Sequence, residues 1–377
     1  MPGLETLIRE LEARYDPATA ESWDAVGLVC GDPGTDVRRA LFAVDPVAPV
    51  VDEAIATGVQ LLVTHHPLFL GGTTSVAATT PKGRVVHRLV TAGIALYVAH
   101  TNADVANPGV SDALGRALEL CDLEPLVALP DEPRDKLVTF APADAVDPLL
   151  DALSAAGAGV IGDYSRCAFL GDGTGTFLGG ETSNPTVGVA GRVERVPEVR
   201  VEVVLPRGRR AAAVRALLDT HPYQEPAWDL YELAGGLGSR GLGSRGLGRV
   251  GQIAAPMTLR EFTAHAARRL PATAWGVRAA GDPGRVVRRV AVCGGSGGDL
   301  AAAAAHAGAD VLLTSDLKHH ATSEAVDDTG VALIDAAHWA TEWPWLADAA
   351  AVLATTVETS VSSIVTDPWT VHESVGA

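Results

Sequence analysis

Short, almost wholly apolar runs recur along this chain, each followed by a helical stretch, and that alternation constrains the fold more than any other feature. Val59-Gln60-Leu61-Leu62-Val63 is one such run and Ile94-Ala95-Leu96-Tyr97-Val98 another. A strand that is apolar at nearly every position must be covered on both faces, so the pattern predicts an α/β fold with sheets flanked by helices. Residues 4-14 place Leu4, Leu7, Ile8 and Leu11 on one helical face. Further strands are expected at 39-44, 287-292, 311-313, 331-334 and 357-364. Helices are expected at 47-57, 82-92, 109-118, 258-269, 298-307, 318-328 and 339-353.

The alternation breaks once. Strands at 136-140, 164-170, 200-205 and 228-233, with helices at 144-156 and 209-219, give the order β-α-β-β-α-β of a ferredoxin-like α+β domain. The glycine-rich residues 171-180 are expected as hairpin material between its middle strands. A split, two-lobed αβ domain over 1-132 and 236-377 is thus predicted, with an inserted domain over 133-235. Gly-Leu-Gly-Ser-Arg at 236-240 recurs at 241-245. Too short for a solenoid, it reads as a flexible linker at the start of the second part.

Bulk properties narrow the function. The chain has 377 residues, is 47% hydrophobic and 20% charged, and carries a formal net charge of -17. That composition is globular, and the charge argues against nucleic acid and anionic membranes as partners. Lys82, Lys136 and Lys318 are the lysines of the chain. Cys30, Cys121, Cys167 and Cys293 form no Cys-x-x-Cys pair, which suits a reducing compartment rather than a disulfide framework. With no signal-peptide pattern at the N-terminus and no long uncharged apolar run, a cytoplasmic location is expected.

Chemistry-bearing residues collect where strands end. Thr64-His65-His66-Pro67 follows the strand 59-63, and open α/β sheets bind ligands beyond the carboxyl ends of their strands. Two adjacent imidazoles there can serve two metals, although a surface turn with incidental histidines has the same sequence. His100-Thr101-Asn102-Ala103-Asp104 follows the strand 94-98. Asp104 can bridge two cations or simply cap the next helix, and His100 and Asn102 can orient ligands from behind. His338-Trp339-Ala340-Thr341-Glu342 follows the strand 331-334. His338 and Glu342, four apart, share one helical face and suit either one metal site or a solvated pair.

All three segments are expected at the same edge of one sheet. Together they offer His65, His66, Asp104, His338 and Glu342, a nitrogen and oxygen set without thiolate. Such a set suits Zn, Fe, Mn, Co or Ni and leaves positions open for water. Two such ions about 3.5-4 Å apart can activate water against an electrophilic carbon or phosphorus.

Other motifs carry less. Gly294-Gly295-Ser296-Gly297-Gly298 lies between a strand and a helix, where it can cradle a phosphate or make a tight turn. It is not a Walker A loop, since no Gly-Lys-Ser/Thr follows. Thr314-Ser315-Asp316 and Lys318-His319-His320 follow the strand 311-313, with His320 the better candidate for a substrate or supporting contact. Trp23-Asp24 reads as a core tryptophan with a capping aspartate, or as a pair at the site's edge.

Taken together, the motifs resemble the GTP cyclohydrolase type 2 homologs, also called the NGG-interacting-factor-3-like family. The carrying segments are Trp23-Asp24-Ala25-Val26-Gly27-Leu28, Thr64-His65-His66-Pro67, His100-Thr101-Asn102-Ala103-Asp104, Gly248-Arg249-Val250-Gly251 and Ala337-His338-Trp339-Ala340-Thr341-Glu342. The resemblance implies two metals held by His65, His66, Asp104, His338 and Glu342. It implies a toroidal hexamer with the sites facing an inner cavity. It also implies a metal-dependent hydrolase of a nucleotide or phosphate ester, in its most specific form GTP ring opening with His100 and His320 moving protons. His221-Pro222-Tyr223-Gln224-Glu225-Pro226-Ala227-Trp228-Asp229 is similar to a motif of the PII-like insert of longer bacterial members, with Gln224 where the motif has Glu. A non-catalytic regulatory or scaffold assembly is the competing expectation. DNA binding through the ring's hole conflicts with the charge.

Overall fold

The computed structural model describes residues 1-129, 133-161, 164-183, 185-234 and 245-373. In chain order the first elements are α1 (Leu4–Arg14), β1 (Gly27–Cys30), β2 (Arg39–Ala43), α2 (Ala48–Thr57), β3 (Leu61–Thr64) and α3 (Pro81–Thr91). Next come β4 (Ala95–Val98), α4 (Thr101–Asp104), α5 (Val110–Ala117) and β5 (Cys121–Ala128). Then follow β6 (Arg134–Ala141), α6 (Val146–Ala155), β7 (Ala168–Leu178), β8 (Val193–Pro206), α7 (Arg210–Thr220) and β9 (Trp228–Glu232). After these stand β10 (Gly246–Thr258), α8 (Leu259–Arg269), β11 (Val277–Ala280), β12 (Val286–Ser296), α9 (Ala301–His306) and β13 (Val311–Ser315). The last are α10 (His319–Thr329), β14 (Ala332–Ala336), α11 (His338–Glu342), α12 (Trp345–Leu353) and β15 (Glu358–Val361).

These elements form two compact units, Met1–Leu129 with Gly243–Ala377, and Pro130–Leu242. The larger unit holds two sheets, ordered β1-β4-β3-β2-β15 and β11-β14-β13-β12-β10-β5. Strands β4, β3, β2 and β15 run parallel, as do β14, β13 and β12. Every residue of β3 is buried, as a parallel strand between two neighbours must be. One core cluster draws Phe42 and Tyr97 from the first sheet, Val292 and Leu313 from the second, and Leu7, Leu114, Trp345 and Leu346 from helices. The fold is therefore mixed α/β with several sheets flanked by helices.

Local signals set the helix ends. Thr80 caps α3 by accepting from the Gly83 amide, with Pro81 at the first helical position. Thr258 and Glu261 make a capping box that starts α8. Gly58 and Gly330, at φ 63° and 69°, end α2 and α10 in the left-handed conformation.

The smaller unit has one antiparallel sheet, β7-β8-β6-β9, and a core of Leu137, Leu149, Val201, Leu205, Leu217 and neighbours. One expectation is refined. Residues 171-178 form an arm of a long hairpin rather than its connection: β7 runs to Leu178, paired antiparallel with β8 from Ala168↔Val203 to Leu178↔Val193. The glycines cost strand propensity, and continuous pairing with a long partner overrides it. The linker reading of 236-245 falls, up to residue 244, outside the described residues. Its continuation, Gly246-Leu247-Gly248-Arg249, opens β10 between β5 and β12. Gly248 lies there at φ +64°, where a Cβ would meet the Val292 carbonyl oxygen at 3.0 Å. Among the described residues, no helix is long and apolar enough to cross a membrane.

Candidate metal centre

His65 and His66 leave the carboxyl end of β3, and His100 and Asp104 come from the turn and short helix after β4. His338 and Glu342 begin and end α11, directly after β14. The three segments are therefore not at the edge of one sheet. The first two belong to the five-stranded sheet and the third to the six-stranded one. Apolar periodicity says that a strand is buried but not which sheet it joins.

The side chains nevertheless converge. Glu342 Oε1 lies 2.9 Å from His338 Nε2 and 3.5 Å from His65 Nε2, and Oε2 lies 3.1 Å from His66 Nε2. Asp104 Oδ1 is 3.7 Å from His65 Nε2. Two groups, His65-His66-His100 and His66-His338-Glu342, each have ligand-type atoms within 4.8 Å of one another and could hold a metal ion. His66 belongs to both.

Each imidazole of the cluster is anchored through Nδ1. His65 Nδ1 lies 2.9 Å from the Ala99 carbonyl oxygen, and His66 Nδ1 2.7 Å from Asp45 Oδ1. His100 Nδ1 lies 2.8 Å from Asp24 Oδ1, and His338 Nδ1 2.6 Å from Asp316 Oδ2. An acceptor at Nδ1 fixes the proton there and leaves Nε2 as the lone-pair nitrogen, the arrangement typical of metal-ligating histidine. His65 Nε2 is buried without a hydrogen-bond partner, and the buried Glu342 Oε2 meets His66 Nε2 at 3.1 Å in poor hydrogen-bond geometry. Orphaned buried polar atoms are costly, and a cation between them removes that cost, so the residues present fit a divalent metal.

The electrostatics follow from the crowding. Burial alone would raise the Glu342 carboxyl, but His66, His338 and His65 outweigh it and hold it well below the usual range. Burial lowers the imidazoles, yet Glu342, aided by Asp316, pushes His338 up to about 9. Glu342 and Asp45 likewise hold His66 well above its ordinary value. Burial first, then Glu342, pushes Asp104 up to about 6. His100 goes the other way, lowered by burial and by His65. Protons here do what a divalent cation does, and such a cation displaces them.

His320 is not drawn in. It is exposed on α10, its ring packs against His319 with centroids 5.0 Å apart, and among the described residues no hydrogen bond joins it to the cluster. Trp23 is not a core residue: it is 56% exposed and meets the His100 ring edge-on at 6.0 Å. Asp24 does more than cap, since its carboxylate accepts from His100 Nδ1, the Thr101 amide and the Thr101 hydroxyl.

Sequence reasoning missed Asp45, and in the segment 314-320 it favoured His320 over Asp316. Asp45 and Asp316 follow parallel strands, β2 and β13, and that position was their only signal. Asp316 sits at φ +57°, rare for a residue other than glycine. The Gly294-Gly298 run is not built as a phosphate loop. Gly294, Gly295 and Ser296 end β12, and a Cβ at Gly295 (φ +67°) would lie 2.6 Å from Glu342 Oε1 and 3.2 Å from His338 Nε2. That glycine gives the cluster its room. Arg249 is buried among Asp112, at 2.8 Å, and the carbonyl oxygens of Gly246, Gly248 and Ala106, so its role is to tie β10 to α5.

The chain is similar to known proteins along nearly its whole length. The family model Duf34/NIF3 (NGG1p interacting factor 3) matches residues 3–368. A Mycobacterium bovis protein named GTP cyclohydrolase 1 type 2 homolog is 46% identical, with 99% of this chain and 98% of that protein covered. A Bacillus subtilis protein of the same name is 36% identical over 88% and 87% of the two chains. The crystal structure of a Bacillus cereus protein related to NIF3 superimposes with a TM-score of 0.78 at 33% identity, covering 98% of each chain.

Proposed function

The chain belongs to the Duf34/NIF3 family, and we propose that it is a dinuclear metal-binding protein that hydrolyses a nucleotide or phosphate ester. The observation that carries the reading is the four imidazoles whose Nδ1 atoms are all engaged, with the Nε2 atoms of His65, His66 and His338 gathered around Glu342. In this reading His65, His66, Asp104, His338 and Glu342 would hold two divalent ions of Zn, Fe, Mn, Co or Ni. His100, the imidazole least inclined to hold a proton at neutral pH, either takes up protons from substrate or completes the trio with His65 and His66. His320 is proposed to act only as a peripheral proton carrier. The ions, when bound, supply Lewis acidity and lower the pKa of water.

GTP ring opening is the most specific form of the proposal, and the names of the relatives support it. We also read the smaller unit as an inserted PII-like domain, the assembly as a toroidal hexamer and the location as cytoplasmic. A second reading is a non-catalytic metal-binding regulatory assembly. It is supported by a cavity of about 940 Å³ in the smaller unit, lined by Phe140, Arg200, Glu198 and Tyr223 among others, which offers a separate place for a small effector.

Elemental mass spectrometry on wild type and on His65→Ala/Glu342→Ala tests the metal claim. About two ions per chain and a large loss in the variant are expected, and a wild type that binds none after reconstitution removes the proposal. Metal-dependent turnover of GTP or generic phosphoesters then separates the readings, because a fully loaded protein without turnover favours the regulatory one.

A further inference from the structure

Beside the cluster, within the same unit, lies a second cavity of about 380 Å³ that shares Asp45 and His66 with it. Its walls are of two kinds. Pro46, Val47, Pro67, Leu68 and Val85 are apolar, and three of the lining residues, counting Pro81, are rigid prolines. Lys82, Arg84 and Arg88 are basic.

The charge balance favours an anion. Arg88 is paired with Asp52, and the Asp45 carboxylate is taken by His66 Nδ1 and the Thr366 hydroxyl. Lys82 and Arg84 form no ion pair among the described residues. Lys82 only overlies the Phe69 ring at 5.8 Å, and Arg84 donates weakly, at 3.4 Å, to the carbonyl oxygens of Ala78 and Thr79. Lys82 and Arg84 are exposed, and in a chain of net charge -17 they put positive charge at the rim of this one cavity. Val47 and Ala48, at the start of α2, add amides that no side chain caps. The volume lies at the small end of ligand pockets, enough for a phosphate chain and a sugar but not for a dinucleotide.

We propose that this cavity binds the phosphate end of a phosphorylated substrate, with Lys82 and Arg84 positioning it so that the rest of the molecule meets the cluster at His66. Its orientation toward the cluster rests on the hydrolase reading above. Lys82 and Arg84 are positioning residues in this scheme, since neither touches the cluster that would do the chemistry.

The test is titration of inorganic pyrophosphate into chelator-treated full-length protein, followed by calorimetry and phosphorus NMR. Wild type is expected to bind, more weakly as salt rises. Lys82→Gln and Arg84→Gln should each weaken binding about tenfold, since each removes a charge-assisted contact. Lys136→Gln, in the other unit, should bind as wild type does. Lys82→Gln carries the test even if Arg84→Gln unfolds, because the lysine supports nothing but a ring contact. No binding by wild type at millimolar pyrophosphate overturns the proposal, as does equal binding by wild type and Lys82→Gln. Pyrophosphate binding without turnover of either GTP or phosphoesters keeps the anion pocket and removes the hydrolase. Turnover whose KM is unchanged in both variants keeps the hydrolase and removes the pocket.

Discussion

Replacing Gly295 with alanine would test how the cluster is built. The residue ends β12 at φ +67°, where an L side chain costs about 1–2 kcal/mol. It is also pinned, since its amide donates to Thr341 Oγ1 at 2.9 Å and its carbonyl accepts from Thr314 Oγ1 at 2.8 Å. The backbone therefore cannot swing away, and the new methyl, 2.6 Å from Glu342 Oε1, must displace the carboxylate. Metal ligands tolerate displacements of only about 0.5 Å, so a loss of about 10–100-fold in metal affinity is expected, as for lost supporting contacts. Gly308→Ala is the matched control, because Gly308 has φ +70° with nothing within 4 Å of its Cβ position. Both variants should lose about 1–2 kcal/mol of metal-free stability in urea melts from the backbone, and Gly295→Ala more, because displacing Glu342 also disturbs its contacts to His66 and His338. Only Gly295→Ala should lose metal, read as ions per chain and by competition with a chelating dye. Equal metal affinity in the two variants would refute the argument that Glu342 is a ligand held in place by the absence of a side chain at 295.

Three further outcomes follow from the same contacts. Asp104→Ala should lose metal while His320→Ala keeps it, because Asp104 faces His65 and His320 is exposed on α10; equal loss by elemental analysis would count against Asp104 as a ligand. Arg249→Met should destabilise the larger unit by about 3–5 kcal/mol in denaturant melts, since it leaves the Asp112 carboxylate buried without its cation, and adding Asp112→Asn should recover part of the loss. In the smaller unit Asp135 is held below the usual carboxylate range, chiefly by Arg210 and then, against burial, by Arg207. A depressed folded pKa adds stability above the unfolded value of about 3.9, lost as pH falls through the folded one. Asp135→Asn should therefore lower the melting temperature at pH 7 and converge with wild type in acid; a constant difference would show that the ion pair is not the cause.

Local pattern made much of the larger unit legible. The apolar run at 59-63 appears as β3 and that at 94-98 as β4, because residues that must be buried on both sides leave a mark in any window that contains them. The histidine pairs, Asp104 and Glu342 were visible for the related reason that they directly follow such strands. Strands whose burial is partial left no such mark. β5 mixes Asp122, Glu124 and Pro125 with apolar residues, β10 opens on glycines, and β11 is a four-residue edge. Each is held by pairing with a distant partner rather than by its own composition.

The amino-acid sequence by itself determined the doubly buried strands, the helices that follow them and the residues at their ends, since burial and capping act over a few positions. Only the tertiary structure decided that the ligand-type residues come from two sheets, that Asp24, Asp45 and Asp316 stand behind His100, His66 and His338, and that Gly295 leaves space for Glu342. Those are contacts between segments far apart in the chain, fixed by how buried faces pack, and packing has no period to read.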